Sequence, residues 1–281
     1  MPAQPSMEPA VFQRFARLAY DKAGISIKPE KEALVHARVA KRLRALSLDS
    51  AERYIDYLES DASGEELTCF LDLISTHFTS FFREPDHFDL LEEEAARWAE
   101  EGRKRIRLWS AASSTGEEPY SMAMTLLDAA PLAGTDWRIL ATDIAESTLA
   151  EARAGRYPAS RLEPVPAAKR KRWVLPPSGP GALQGLHEVA PAVRQRVVFQ
   201  KLNLAAPPFP MRGPLDLVFC RNVLIYFDQP TRQRLVSEIE RLLLPGGLLC
   251  IGHTETLNGV RAGFRMVRPS VFRRVEDGGG R

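Results

Sequence analysis

The sequence predicts an α/β protein in two parts: an all-helical N-terminal segment, then a parallel-sheet domain carrying one irregular insertion. Three observations predict it. From Ala10 to about Leu91, apolar residues recur at spacings of three and four, with no convincing strand pattern. From about Arg103, short apolar runs alternate with stretches of helix length, which is the rhythm of βαβ units. Residues 158–195 break that rhythm with a Pro- and Gly-rich stretch (PVPAAKRKRWVLPPSGPGALQG) and read as an inserted subdomain with short strands.

Residues 1–9 read as a loose leader. Val11, Phe15, Leu18 and Ala19 mark a first helix, and Leu34, Ala37, Val39 and Leu43 a second. Tyr54, Ile55 and Leu58 mark a third, and Leu67, Phe70, Leu71 and Ile74 a fourth. Breaks fall at Gly24, Pro29, residues 47–50 and residues 61–64, and the one strand candidate is 25–27. In the second part, strands are predicted at 106–112, 137–142, 197–201, 215–220 and 248–252. Helices are predicted at 118–130, 146–154 and 230–244, and Leu244-Pro-Gly-Gly-Leu248 reads as a helix stop. Residues 264–267 and 270–274 flank Arg268-Pro269 as a hairpin at the sheet edge, and 276–281 read as a frayed tail. The division is a helical domain 1–91, a linker 92–102 and an α/β domain 103–281.

Composition excludes several classes. The chain has 281 residues, about two domains' worth, with 44% apolar and 26% charged residues, which rules out a disordered chain. A net charge of +2 argues against a strongly cationic nucleic-acid or membrane-surface protein. Cys69, Cys220 and Cys250 are scattered, which fits a reducing cytosol. No signal peptide and no apolar run long enough to span a membrane is found. None of the five histidines sits at metal-ligand spacing, so no metal is expected.

The chemistry gathers at the predicted carboxyl ends of strands. The first strand runs into Ser110-Ala-Ala-Ser-Ser-Thr-Gly-Glu-Glu-Pro-Tyr120, a small-residue turn that admits close approach of a ligand. Only Gly116 is glycine, and Glu117 and Glu118 stand where a phosphate would need positive potential. That weighs against a dinucleotide and suits a cofactor with a cationic end. Taken alone, the turn reads equally as a helix start capped by Thr115. Asp143, at the tip of the second strand, fits a reader of ribose hydroxyls or a cap for the next helix, and the small-residue turn favours the former. The strand 215–220 runs into Arg221, Asn222 and Tyr226, and Asn203 follows the preceding strand in the same way. Before the α/β part, Phe81 and Phe82 precede Arg83, close to Thr79, and suggest a docked segment projecting one charge.

STHFTSFFRE, WSAASSTGEEPYS, ATDI, KLNL, CRNVLIYF and LLPGGLLCIGHTE, in this order, resemble the CheR-type chemotaxis receptor methyltransferases. The resemblance covers about residues 10–275. It implies a helical N-terminal domain and a Rossmann-like methyltransferase domain with an inserted antiparallel β-subdomain. It implies the cofactor S-adenosyl-L-methionine, with S-adenosyl-L-homocysteine as product, and transfer of methyl to glutamate side chains. By similarity, Thr79 and Arg83 reach the cofactor across the domain cleft. Glu118 holds its methionyl ammonium or nearby groups, Asp143 the ribose hydroxyls, and Asn203 and Leu204 flank the adenine. Arg221 and Asn222 line the site, and Arg83 and Tyr226 lie beside the transferred methyl. His77 stands where the family often has Asn, and it joins the expected cofactor set.

The acceptor implied is the acidic cytoplasmic helical bundle of a chemoreceptor, reached by a cytoplasmic, monomeric enzyme that touches membranes only through receptors. Residues 10–48 hold nine Lys/Arg against three acids, and helical spacing places Lys31, Arg38 and Arg42 near one face. That face is expected to dock the receptor, with a solvated helix face as the bland alternative. A methyltransferase of another acceptor, nucleic acid included, and a non-catalytic cofactor-binding scaffold are the rival functions. No aromatic stacking platform accompanies the basic residues, so no nucleic-acid partner is expected.

Overall fold

The computed structural model describes residues 7–75, 78–129, 132, 134–178 and 185–275. The helical part contains α1 (Pro9–Ala23), α2 (Glu32–Leu46), α3 (Ala51–Ser60) and α4 (Glu65–Ile74). Their apolar stripes meet around Phe15, Tyr54 and Phe70, whose ring centroids lie 5.4–6.4 Å apart. A buried acid, Glu66, accepts from Arg42 Nε at 2.7 Å and Nη2 at 2.5 Å and from the Tyr54 hydroxyl at 2.7 Å. Of the expected leader, residues 1–6 lie outside the described residues, while Met7 is buried and Pro9 opens α1.

α5 (Asp86–Glu100) runs across the expected boundary at 91 and through most of the expected linker. Phe88, Leu91, Ala95 and Trp98 pack in one cluster with Ile106 and Leu108 of the sheet. The 3.6-residue stripe of this helix therefore faces the sheet and not the α1–α4 core.

The α/β part contains β1 (Arg105–Ala111), α6 (Glu117–Asp128), β2 (Asp136–Asp143), α7 (Glu146–Ala154), β3 (Arg156–Pro158), α8 (Ala167–Trp173), β4 (Val174–Leu175), β5 (Leu186–Val189), α9 (Pro191–Arg194), β6 (Val197–Lys201), β7 (Leu215–Cys220), α10 (Gln229–Leu242), β8 (Leu243–Cys250), β9 (Phe264–Arg268) and β10 (Val271–Arg274). The main sheet has the order β6-β2-β1-β7-β8-β10-β9. Its first five strands are parallel, and the β9–β10 hairpin pairs antiparallel at the edge. The strand order reverses between β1 and β7, the place where such sheets bind ligands. Ala111 is in register with both Thr142 and Cys220, so the three chain segments that follow leave the sheet at one level.

The expected helix stop at 244–248 lies inside β8, where pairing with β7 jumps from Leu215↔Leu243 to Leu217↔Leu248. The Pro-Gly-Gly run is thus a bulge in a strand that begins earlier than its apolar run suggests. The insertion forms a separate antiparallel sheet in the order β3-β5-β4, beginning at Arg156. Tyr157 ties it to the main domain by donating from its hydroxyl to the Thr115 carbonyl at 2.6 Å.

Candidate active site

A cleft of about 990 Å³, partly open to solvent, lies over the carboxyl ends of β1, β2 and β7. Its far wall comes from the helical part: Ala23 at the end of α1 with Ile25 just beyond it, and Ile74 at the end of α4 with Ser75 just beyond it. The two parts are stitched at this wall. Ser26 N donates to the Tyr226 carbonyl at 2.8 Å, and Ile25 forms a single antiparallel bridge with Phe227, which is all that becomes of the expected strand 25–27. Asn203 Nδ2 donates to the Lys22 carbonyl at 2.7 Å, and the Tyr20 hydroxyl donates to Asp228 at 2.8 Å.

Thr79, Arg83, Glu118, Asp143, Asn203, Leu204, Arg221, Asn222 and Tyr226 all line this cleft. His77 lies outside the described residues. The 144-residue span from Thr79 to Asn222 closes because their segments end on adjacent strands or dock against them. Five of the seven non-glycine residues with positive φ among those described, Phe82, Glu84, Ala112, Ser114 and Asn222, belong to these segments. Strained backbone of this kind collects where surrounding structure holds a binding geometry in place.

The two carboxylates of the small-residue turn have separate fates. Glu118 faces the cleft, accepts from Ser110 Oγ at 2.7 Å and pairs with Arg221 at 3.1 Å. Burial pushes its carboxyl up, against the pull of Arg221. Glu117 turns away and is buried against Arg161 and the Thr115 hydroxyl, so only one of the two turn carboxylates serves the cleft. Thr115 is not the cap of α6: the N-cap position is Gly116, and the Thr115 hydroxyl donates to Glu117. Asp143 accepts from Ser114 N at 2.8 Å and from Ala145 N at 3.0 Å, which fixes the small-residue turn to the tip of β2.

Arg221 is almost fully buried beneath the cleft. It donates to Glu84 Oε2 at 2.9 Å, to Glu118 and to the Arg83 carbonyl. Burial works against ionisation of Glu84, but Arg221, Asn222 and the His253 N–H together outweigh it and hold the carboxyl below its usual range. Arg83 itself is held by its neighbours: Nη1 donates to the Phe78 carbonyl at 3.0 Å, and its guanidinium sits 5.2 Å from the Phe78 ring centroid. Both of these contacts are with Phe78, and they place the guanidinium at the cleft.

Two acids of this site were not singled out from the sequence. Glu84 follows Arg83 in FFRE and collects Arg221, Asn222 Nδ2 and the His253 N–H. Glu255, in GHTE, accepts from the backbone beneath the 221–226 loop. The nearest signal was their place within motifs already marked. Glu84, His87 and His253 also bring donor atoms within 4.8 Å of one another, a grouping that no sequence spacing announces. Both oxygens of Glu84 are already engaged by Arg221 and Asn222.

The expected docking cations divide. Arg42 forms the buried pair with Glu66, and Arg38 Nη1 donates to the Leu73 and Ser75 carbonyls at the end of α4, at 2.6 and 3.1 Å. Both therefore serve the helical core, because the face they share is the one α2 turns toward α4. Lys31 is exposed, as are Lys28 and Lys41.

Residues 77–272 match the family model of the CheR methyltransferase SAM-binding domain, and residues 10–75 match that of the CheR all-alpha domain. The chain belongs to the CheR methyltransferase family. It is similar to a chemotaxis protein methyltransferase of Salmonella typhimurium, with 38% identity over 97% of this chain and 92% of that one. It is likewise similar to chemotaxis protein methyltransferase 2 of Pseudomonas aeruginosa, with 42% identity over 93% and 91% of the two chains. As a CheR-family member it is an enzyme, a methyltransferase, and its methyl donor is S-adenosyl-L-methionine. The cleft offers the carboxylates of Glu118 and Asp143 between apolar walls such as Ile25 and Leu204, a lining that suits a donor with cationic groups. Among the described residues, no helix is long and apolar enough to cross a membrane.

Proposed function

We propose that the chain transfers methyl from S-adenosyl-L-methionine to glutamate side chains of chemoreceptors, forming glutamyl methyl esters. The observation that carries this reading is Arg83, a guanidinium lining the cleft and held there by the Phe78 carbonyl and ring. A glutamate is already ionised at neutral pH, so it needs orientation and no general base. Arg83 orients the acceptor carboxylate, and Tyr226 packs or hydrogen-bonds beside the reacting carbon. When bound, the cofactor supplies an electrophilic methyl on sulfur. Glu118 takes its ammonium end and Asp143 its ribose hydroxyls. Asn203 and Leu204 flank the adenine, Thr79 closes from the helical side, and Arg221 and Asn222 support the floor.

The acceptor on this reading is the acidic cytoplasmic helical bundle of a receptor, met by a cytoplasmic monomer. The exposed Lys28, Lys31 and Lys41 supply the complementary charge. The test is transfer of labelled methyl from S-adenosyl-L-methionine to receptor cytoplasmic fragments. The expected product releases its label in mild base, as an ester does. A base-stable label, or label on nucleic acid alone, would overturn the acceptor assignment.

A further inference from the structure

Glu255 lies on the turn after β8 and is not among the residues that line the cleft. Its carboxylate nevertheless gathers three main-chain donors from two chain segments. Oε2 accepts from Gly252 N at 2.7 Å and from Asn222 N at 2.8 Å, and Oε1 accepts from Ile225 N at 3.3 Å. The turn itself is closed by Glu255 N donating to the Gly252 carbonyl at 2.9 Å. Two of the three donors belong to the loop that delivers Arg221, Asn222 and Tyr226 to the cleft.

That loop needs an anchor. Asn222 sits at φ 58°, a conformation that costs free energy unless its surroundings enforce it. The 252–255 turn also nests against it closely. A Cβ on Gly252 would come within 2.4 Å of Asn222 Nδ2 and 2.9 Å of Glu255 Oε2. An ionised carboxylate can accept from several N–H groups at once, and such charge-assisted bonds are stronger than neutral ones.

We propose that Glu255 is a positioning residue for methyl transfer: its carboxylate holds the 221–226 loop in its left-handed turn, so that Arg221, Asn222 and Tyr226 meet the cofactor preorganised. The inference rests on this cleft being the methyl-transfer site. A purely structural role would lower the melting temperature of a Glu255 variant and leave the affinity of the folded enzyme intact. A positioning role changes that affinity, and it does so in proportion to the acceptors lost.

The test uses the full chain, with S-adenosyl-L-homocysteine titrated calorimetrically below the melting temperature of every variant, beside steady-state methyl transfer. Glu255→Ala is expected to raise the product Kd and the KM for the methyl donor by about tenfold or more, with kcat also lowered because Tyr226 rides on the same loop. Glu255→Gln is expected to restore most of the affinity, since its carbonyl oxygen still accepts from Gly252 and Asn222. Leu242→Ala, a cavity in the apolar cluster beside β7, is the control for lost stability and is expected to melt lower while binding normally. An affinity within about twofold of wild type in Glu255→Ala, a Gln variant no better than the Ala variant, or an equal loss in Leu242→Ala would each overturn the proposal. A wild-type chain that binds the product but methylates no receptor would overturn the acceptor assignment alone.

Discussion

His87 is completely buried, with Ser270 Oγ 2.9 Å from its Nε2 and Glu84 3.6 Å from its Nδ1. Burial pushes its imidazolium down to about 4 from 6.5, and Arg221 adds to the effect, against the pull of Asp86 and Glu84. The folded chain therefore keeps it neutral where the unfolded chain protonates it. Its contribution to stability is complete above about pH 6.5 and is lost as pH falls towards about 4, a loss of about 2–4 kcal/mol. Glu84, whose carboxyl is held low, adds a loss beginning below its unfolded value of 4.5. Glu118, pushed up, works in the opposite direction there. Thermal unfolding at stepped pH is expected to show Tm falling between pH 6.5 and 4 in the wild type, and falling less in His87→Gln. A second residue-scale expectation concerns Arg42. Removing it leaves Glu66 buried with only Tyr54 as partner, so Arg42→Ala is expected to destabilise by about 2–4 kcal/mol in denaturant unfolding. Its replacement by Glu would report the helical core and not docking. The informative pair is Lys31→Glu with Lys41→Glu, expected to lower receptor methylation at low salt while product affinity stays unchanged.

At the scale of elements, the end of α1 carries the most consequence for the cleft. Gly24 terminates the helix at φ 68°, and its N–H donates to the Tyr20 carbonyl at 2.8 Å. A Cβ there would meet Ala205 Cβ at 2.4 Å. Gly24→Ala is therefore expected to push α1 off the KLNL loop and raise the Kd for S-adenosyl-L-homocysteine severalfold, with Tm lowered as well. An unchanged Kd would mean that this contact does not shape the cleft. β7 was legible because a strand buried on both faces is a short continuous apolar run ended by turn residues, whereas β1, β2 and β6 were legible as short apolar runs broken by exposed positions. The second half of α5 was not, since EEEAARWAEEG has the polarity of a linker. Only packing against β1 turns its Leu91, Ala95 and Trp98 into a buried stripe.

For the whole molecule, the cleft belongs to both parts at once, with helical residues on one wall and strand ends on the other. A ligand filling it couples their unfolding. At 100 times its Kd, S-adenosyl-L-homocysteine is expected to stabilise the chain by about 2.7 kcal/mol and to raise the melting of both parts together. Differential scanning calorimetry that moves only one transition would contradict this. The sequence by itself determined helices α1 to α4, the parallel strands of the main sheet, the strand ends that carry Asp143, Asn203 and Arg221, and the family. These follow from local periodicity and from motifs a few residues long. Only the tertiary structure decided that Arg42 and Glu117 serve the interior while Lys31 and Glu118 face outward or into the cleft. Only it joined Glu84 to Arg221 and Glu255 to Asn222. The physical reason is that a charged side chain looks the same in sequence whether its partner is solvent, substrate or a buried ion of opposite sign, and these partners stand 24 to 137 residues away along the chain.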